Sequence, residues 1–482
     1  MSYLAPLLLL LSLSAAESRR HSPVKMLGDL FKPKRSAPPL PQAHSSWSAL
    51  PSWGDIDKAL RAQETSAERQ AYEDVMRGTG RGPASHQANL RLFDKPEGYD
   101  PQVTLYRDTA GWCPYCEKVW LYLEEKRVPY RVEKVPMSCY GRKPAEFLRL
   151  NPSGGIPVAV VRGKVIKESN DIIYLMEREF GPSEGYREML PGGDSPLRAK
   201  VQPLLQLERR LFGSWFSWLT SRGGDGDRRE MDQLFSEVDR ALGSGSGPFF
   251  LGAEISIVDC MFAPFLERMA ASLPYYKGFV CRGPSYPHLL RWFEAMDGKT
   301  SYAGLKSDYY THVRDLPPQI GACLSLPEAR AAAVEIDGGA WRIDADPALL
   351  LEPMLPADPQ EARRDAVRRI VGNHEKLVAF ACRAAGKRGS PSVAAPLADP
   401  YAVADESYAP AVDTALRTIA GALLTGATDV DPGVLRSLAA REVQDCLLYV
   451  RERVGVPRDM TVHGARLFRA HINWFVDAAA NV

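Results

Sequence analysis

A short apolar segment, Val103-Thr104-Leu105-Tyr106, leads into Cys113-Pro114-Tyr115-Cys116, and that motif opens an amphipathic helix. This constrains the fold strongly, because two cysteines two residues apart at a helix start need a strand–turn–helix to present them. Free backbone N–H groups and the positive end of the helix dipole stabilise a thiolate there. Cys113, just outside the helix, is the expected nucleophile, with an exposed sulfur. Cys116, one turn in, is placed to resolve a mixed disulfide. Half of a zinc site has the same spacing. The sequence has no second pair, however: Cys139, Cys260, Cys281, Cys323, Cys382 and Cys446 are scattered, and no histidines gather near the motif. Redox chemistry is therefore expected, and no metal site.

The surrounding pattern predicts strand 103–106, helix 116–127, strand 130–135, a short helix at 144–150, strands 158–161 and 164–167 joined at Arg162-Gly163, and helix 170–180. That βαβαββα order is a thioredoxin-like α/β layout. Gly181-Pro182 stops the last helix and begins a Gly/Ser/Pro linker. Helical periodicity dominates from 197 to about 312, where Ser256 reads as a helix cap and Asp259 reaches back to it. Glu168-Ser169 closes a strand and opens a helix, so Ser169 can cap it while free N–H groups offer a carboxylate-binding end. The plainer alternative is a helix cap and nothing more.

At 482 residues the chain is long enough for about three domains. Its net charge of +1 argues against nucleic-acid binding driven by global electrostatics. Leu4 to Leu13 is nearly all apolar and ends in Ser14-Ala15-Ala16, a small-residue cleavage pattern. Too short to span a bilayer, which takes ~20 residues, it reads as a signal peptide over 1–16, although Met1-Ser2-Tyr3 lacks the usual basic side chain. Residues 17–54 are basic and rich in Ser and Pro, a transit-peptide composition. A signal followed by a transit segment predicts a two-part leader to a plastid; the alternative is the secretory pathway. The transit-like and linker segment, 17–98, is expected to hold one helix, Asp57 to Met76. No transmembrane span is predicted.

The combination of Cys113-Pro114-Tyr115-Cys116, Gly155-Ile156-Pro157-Val158 and Glu168-Ser169 with an all-helical partner domain resembles the glutathione transferase superfamily. It is most similar to the cysteine-type branch, omega and dehydroascorbate-reductase-like, with a glutaredoxin-like motif. The resemblance covers about residues 100–312. It implies a thioredoxin-like glutathione-binding domain at 99–182, a helical transferase domain at 195–312, and glutathione as co-substrate. It also implies a cis bond at Ile156-Pro157 facing the cysteinyl part of glutathione, and Glu168 and Ser169 holding its γ-glutamyl group. Lys143 would contact the glycyl carboxylate, or be an ordinary surface lysine. Tyr115 would line the mouth of the site, with Trp112 beside it. Trp215, Phe216 and Trp218 fall where the family puts its acceptor pocket, although a buried core helix accounts better for at least two of the three.

Many transferases place Tyr or Ser where this chain has Cys113. A cysteine there implies a mixed disulfide with glutathione, hence thiol transfer or dehydroascorbate reduction on an oxidised small molecule or glutathionylated protein. A catalytically idle docking subunit and a glutathione-conjugating transferase are the alternatives. Residues 313–482 lie outside the resemblance. Asp315-Leu316-Pro317-Pro318 is expected to mark their boundary, with helices at 359–386, 409–424, 433–454 and 461–478. Val454-Gly455-Val456-Pro457-Arg458-Asp459-Met460 reads as a specific loop between helices. His374, His463 and His471 are not spaced as a metal pair. Packing on the transferase domains, or docking a protein partner, is the expected role of this extension.

Overall fold

The computed structural model describes residues 45–354, 358–390 and 396–482. The expected signal peptide and the transit-like residues 17–44 lie outside these. Among the described residues no helix is long and apolar enough to cross a membrane.

Two helices, Trp53–Gln63 (α1) and Ser66–Met76 (α2), stand where the sequence predicts one. The break falls at Thr65, whose extended backbone starts a new helix. Glu68 N–H donates to Thr65 Oγ1 (3.1 Å) while Thr65 N–H donates to Glu68 Oε2 (2.7 Å). That reciprocal cap outweighs continued helix through Glu64. Nor are residues 78–98 a free linker. They carry Leu90–Arg91 (β1), and the buried Arg91 forms an ion pair with Glu124 at 2.7 Å.

A five-stranded sheet follows, in the order β1-β3-β2-β4-β5. It comprises Val103–Asp108 (β2), Tyr130–Val135 (β3), Val158–Val161 (β4) and Lys164–Lys167 (β5). β2 and β3 are parallel, and the other neighbours antiparallel. The helices of this layer are Pro114–Lys126 (α3), Ala145–Leu150 (α4) and Ser169–Glu179 (α5). Val103 and Leu105, alternate residues of β2, point into the core, as a period of two requires.

The second layer is helical: Arg198–Thr220 (α6), Asp225–Gly243 (α7), Ile257–Lys277 (α8), Pro287–Asp297 (α9) and Tyr309–Ile320 (α10). Every residue of α8 is buried, and it packs against α3, α6 and α10. Its start is built as expected: Ser256 N–H and O–H both donate to Asp259 Oδ2, at 2.8 and 2.7 Å. The expected boundary at Asp315–Pro318 is instead the interior of α10. Its two prolines sit near the helix end, where few carbonyl–amide bonds remain to be lost.

The extension contributes Pro359–Ala381 (α11), Ala409–Thr425 (α12), Pro432–Ser437 (α13), Arg441–Arg451 (α14) and Val462–Ala480 (α15). Two helices thus replace the single one expected over 433–454. α1 belongs to this bundle, with Ile56 and Leu60 buried in its core. Trp53 Nε1 donates to Asp413 (2.7 Å), Trp47 Nε1 donates to Ser437 Oγ (2.8 Å), and Arg368 pairs with Glu64 (2.6 Å).

Candidate active site

Strand register brings the site together at one end of the sheet. Tyr106 pairs with Val158, and Val158 with Lys167. The end of β2, the Ile156-Pro157 bond before β4 and Glu168 after β5 therefore lie side by side. Ile156-Pro157 is cis. Cys113 Sγ approaches Ile156 O at 4.0 Å and, as the cap of α3, accepts a hydrogen bond from Cys116 N–H at 3.4 Å. Pro114 takes the first helical position, where a missing N–H costs nothing.

Cys113 is only 5% exposed, so its sulfur is not the open one expected from its position outside the helix. Cys116 is buried, and burial first, then its hydrogen bond to Cys113, pushes its thiol pKa well above the ordinary range. Cys139, half-buried, is likewise pushed up to about 12, by burial first. Lys143 Nζ donates to Pro136 O at 2.7 Å, and burial lowers its pKa while the Cys116 and Cys113 sulfurs raise it.

Ser169 does not cap α5. It is the first helical residue, buried, and Glu168 holds the cap position with φ 65°. A non-glycine residue in that region costs on the order of 1–3 kcal/mol. The surrounding turn therefore imposes this geometry on Glu168, and the free N–H groups of the helix start remain available.

Trp215 and Trp218 are both buried in the core, so they do not line a pocket. Trp215 Nε1 donates to Ser272 Oγ at 2.9 Å. The aromatic side facing Tyr115 is made by Phe265, edge-on at 5.7 Å, with Phe212 against it at 4.9 Å. Only one face of α6 can point inward to the core, and Phe212 is one turn before Phe216 on the other.

Trp112, the residue before Cys113, is held from every side, and sequence reasoning missed most of its partners. Trp112 N–H donates to Asp108 Oδ2 (2.6 Å), and its carbonyl accepts from Arg268 (2.7 Å) and Gln319 (3.2 Å). Arg268 is itself paired with Glu117 of α3 at 2.8 Å, both fully buried. Tyr140 packs edge-on against the Trp112 ring and donates to Asp315, whose carboxyl burial pushes up to about 7.

The remaining support comes from the extension. Trp112 Nε1 donates to Val456 O (2.9 Å), and the Arg458 guanidinium lies 4.9 Å from its ring centre. Val456 N–H donates to Thr311 Oγ1 (3.1 Å), and Tyr310 donates to Glu452 O (3.1 Å). Gly455 approaches so closely that a Cβ there would stand 2.5 Å from Trp112 Cζ2. The loop 454–460 was legible as specific in the sequence; its target was not.

Residues 112–179 match the family description "Glutathione S-transferase, N-terminal domain", and residues 207–295 match "Glutathione S-transferase, C-terminal domain". Glutathione S-transferase DHAR3, chloroplastic, of Arabidopsis thaliana is 30% identical over 200 residues, 41% of this chain and 70% of that protein. Glutathione S-transferase DHAR2 of the same plant is 28% identical over 173 residues, 36% of this chain and 74% of that one. Its glutathione S-transferase L1 is 29% identical over 223 residues, 45% of this chain and 86% of that one. The chain belongs to the glutathione S-transferase family, whose co-substrate is glutathione. The segments 45–76 and 313–482 lie outside both matched domains.

Proposed function

We propose that this protein is a glutathione-dependent thiol transferase acting through Cys113. The observation that carries the reading is the thiol itself, capping α3 beside the Ile156 carbonyl and the Glu168–Ser169 helix start. Glutathione would lie along that sheet end, its cysteinyl part against Ile156-Pro157 and its γ-glutamyl carboxylate at Ser169, with Lys143 near the glycyl end and Tyr115 at the mouth.

In the first step the Cys113 thiolate attacks the glutathione sulfur of a mixed disulfide. A Cys113–glutathione bond forms, the substrate's S–S bond breaks, and the substrate leaves as a thiolate that takes a proton from water. The thiolate of a second glutathione then attacks the bound glutathionyl sulfur, giving glutathione disulfide and restoring the Cys113 thiolate. Burial keeps Cys116 protonated at neutral pH, which favours release by glutathione over release by Cys116. Dehydroascorbate is the other oxidised substrate that fits, reduced by two electrons as two glutathiones become the disulfide. The chloroplastic name of one relative and the leader-like composition support a plastid destination, testable by fusing residues 1–98 to a fluorescent protein.

The deciding experiment uses the full chain, with reduction of a glutathione mixed disulfide and of dehydroascorbate as readouts. Cys113→Ser should fall to the background given by glutathione alone, while Cys116→Ser keeps most of the turnover. Conjugation of an electrophile that survives Cys113→Ser would instead identify a conjugating transferase. Glutathione binding without turnover in the intact chain would identify an idle subunit.

A further inference from the structure

The extension contains a cavity of about 450 Å³, within the ~300–1,000 Å³ range of small-molecule sites. It lies between α11, the loop at 397–400, the end of α14 and the loop 454–460, with Met76 and Gln87 closing one side. Leu377, Phe380, Val450 and Phe468 give it an apolar wall.

Its charges are one-sided. Five cationic side chains line it, Arg369, Lys376, Arg383, Arg453 and Arg458, against two carboxylates, Asp399 and Asp459. Asp459 is committed to Arg458 at 2.8 Å, and Asp399 accepts from Tyr449. The other four cations have no close carboxylate partner among the described residues. Arg383 donates to the Asp399 backbone carbonyl and lies over Phe380. Arg453 donates to the Tyr449 carbonyl (3.4 Å) and lies 3.6 Å over the Tyr449 ring, whereas Arg369 comes no nearer than 3.9 Å to Asp365 and keeps a buried Nε with no acceptor. Lys376 makes no hydrogen bond or ion pair among these residues.

An apolar wall beside unmatched cations selects one ligand chemistry. Water would satisfy the charges but not the apolar wall, and a neutral hydrocarbon would leave buried donors unpaired at a cost in free energy. We propose that this cavity binds a small amphipathic organic anion, its carboxylate or sulfonate at Lys376 and Arg369 and its apolar body against Leu377 and Phe380. The site is separate from the thiol chemistry, so its success or failure is independent of the reading above.

The test is calorimetric titration of the full chain with decanoate, in saturating glutathione so that the site at Cys113 is filled. Decyltrimethylammonium, with the same chain length and the opposite charge, is the control. Expected are one saturable decanoate site, at least tenfold weaker binding of the cation, at least fivefold weaker decanoate binding in Lys376→Glu, and loss of binding in Leu377→Trp, which fills the cavity. Lys376 is exposed, so its variant should fold, and thermal melting of both variants checks this. Absence of saturable decanoate binding, equal binding of the two amphiphiles, or decanoate binding unchanged in Lys376→Glu would overturn the proposal.

Discussion

The two cores of this protein are built differently. The core that surrounds Cys113 is aromatic, holding Trp112, Trp120, Trp215, Trp218 and Trp292, and it is threaded with buried charge. Arg268–Glu117 and Arg91–Glu124 pair inside it at 2.8 and 2.7 Å, and the His312 ring, whose pKa burial lowers, hydrogen-bonds to Glu267 at 2.5 Å. The core of the extension is mostly aliphatic and fine-grained, with Ala366, Ala415, Ala420 and Ala465 letting helices approach. Burying paired charges is a poor way to gain stability, because desolvation offsets most of the attraction. It is a good way to fix orientation, since each pair satisfies its hydrogen bonds in one arrangement only. The charged core thus aims groups at the backbone around Cys113, while the aliphatic core supplies a stiff body from which the loop 454–460 reaches the same place.

The sharpest way to break this contrast is Arg268→Met. It leaves Glu117 buried without its partner and the Trp112 carbonyl without its strongest donor. A loss of ~3–5 kcal/mol in urea unfolding is expected, with much of it recovered when Glu117→Gln is added. If the single variant were as stable as the parent, the buried pair would have no structural part.

Asp315 should reveal the charged core through pH. Its carboxyl, pushed up to about 7 by burial, titrates near ~3.9 when unfolded. The folded state therefore keeps a proton that the unfolded state releases. That contribution is complete below about pH 4 and is lost as pH rises through about 7. Asp315→Asn should flatten the fall in stability across this window, measured by unfolding at each pH.

Gly455→Ala tests the reach of the extension. The added methyl must displace the Trp112 ring, at ~1–3 kcal/mol, and should change the pH profile of Cys113 alkylation. A purely structural role would lower stability and leave that profile alone. The smallest effect is expected from Ile419→Val, deep in the aliphatic core. It should cost ~0.5–1.5 kcal/mol and leave the alkylation profile unchanged.

The sequence alone determined the thioredoxin-like order of strands and helices, the cysteine at the start of α3, the helix opening at Glu168–Ser169 and the start of α8. Each is written in local code: a period of two or 3.6, a proline at the first helical position, a cap with its acid three residues on. Local code failed where two readings share one pattern, as with Thr65, which caps a second helix in an apparently continuous run. It left Trp215 and Trp218 divided between pocket and core, because an aromatic stripe looks the same whichever it faces. Tertiary structure alone decided that residues 45–64 belong to a bundle more than three hundred residues away in sequence, that Cys113 is covered, and that Trp112 is gripped by Arg268 and Val456. Those contacts depend on which surfaces meet when the helical layers close, and nothing within a few residues of either partner records the meeting.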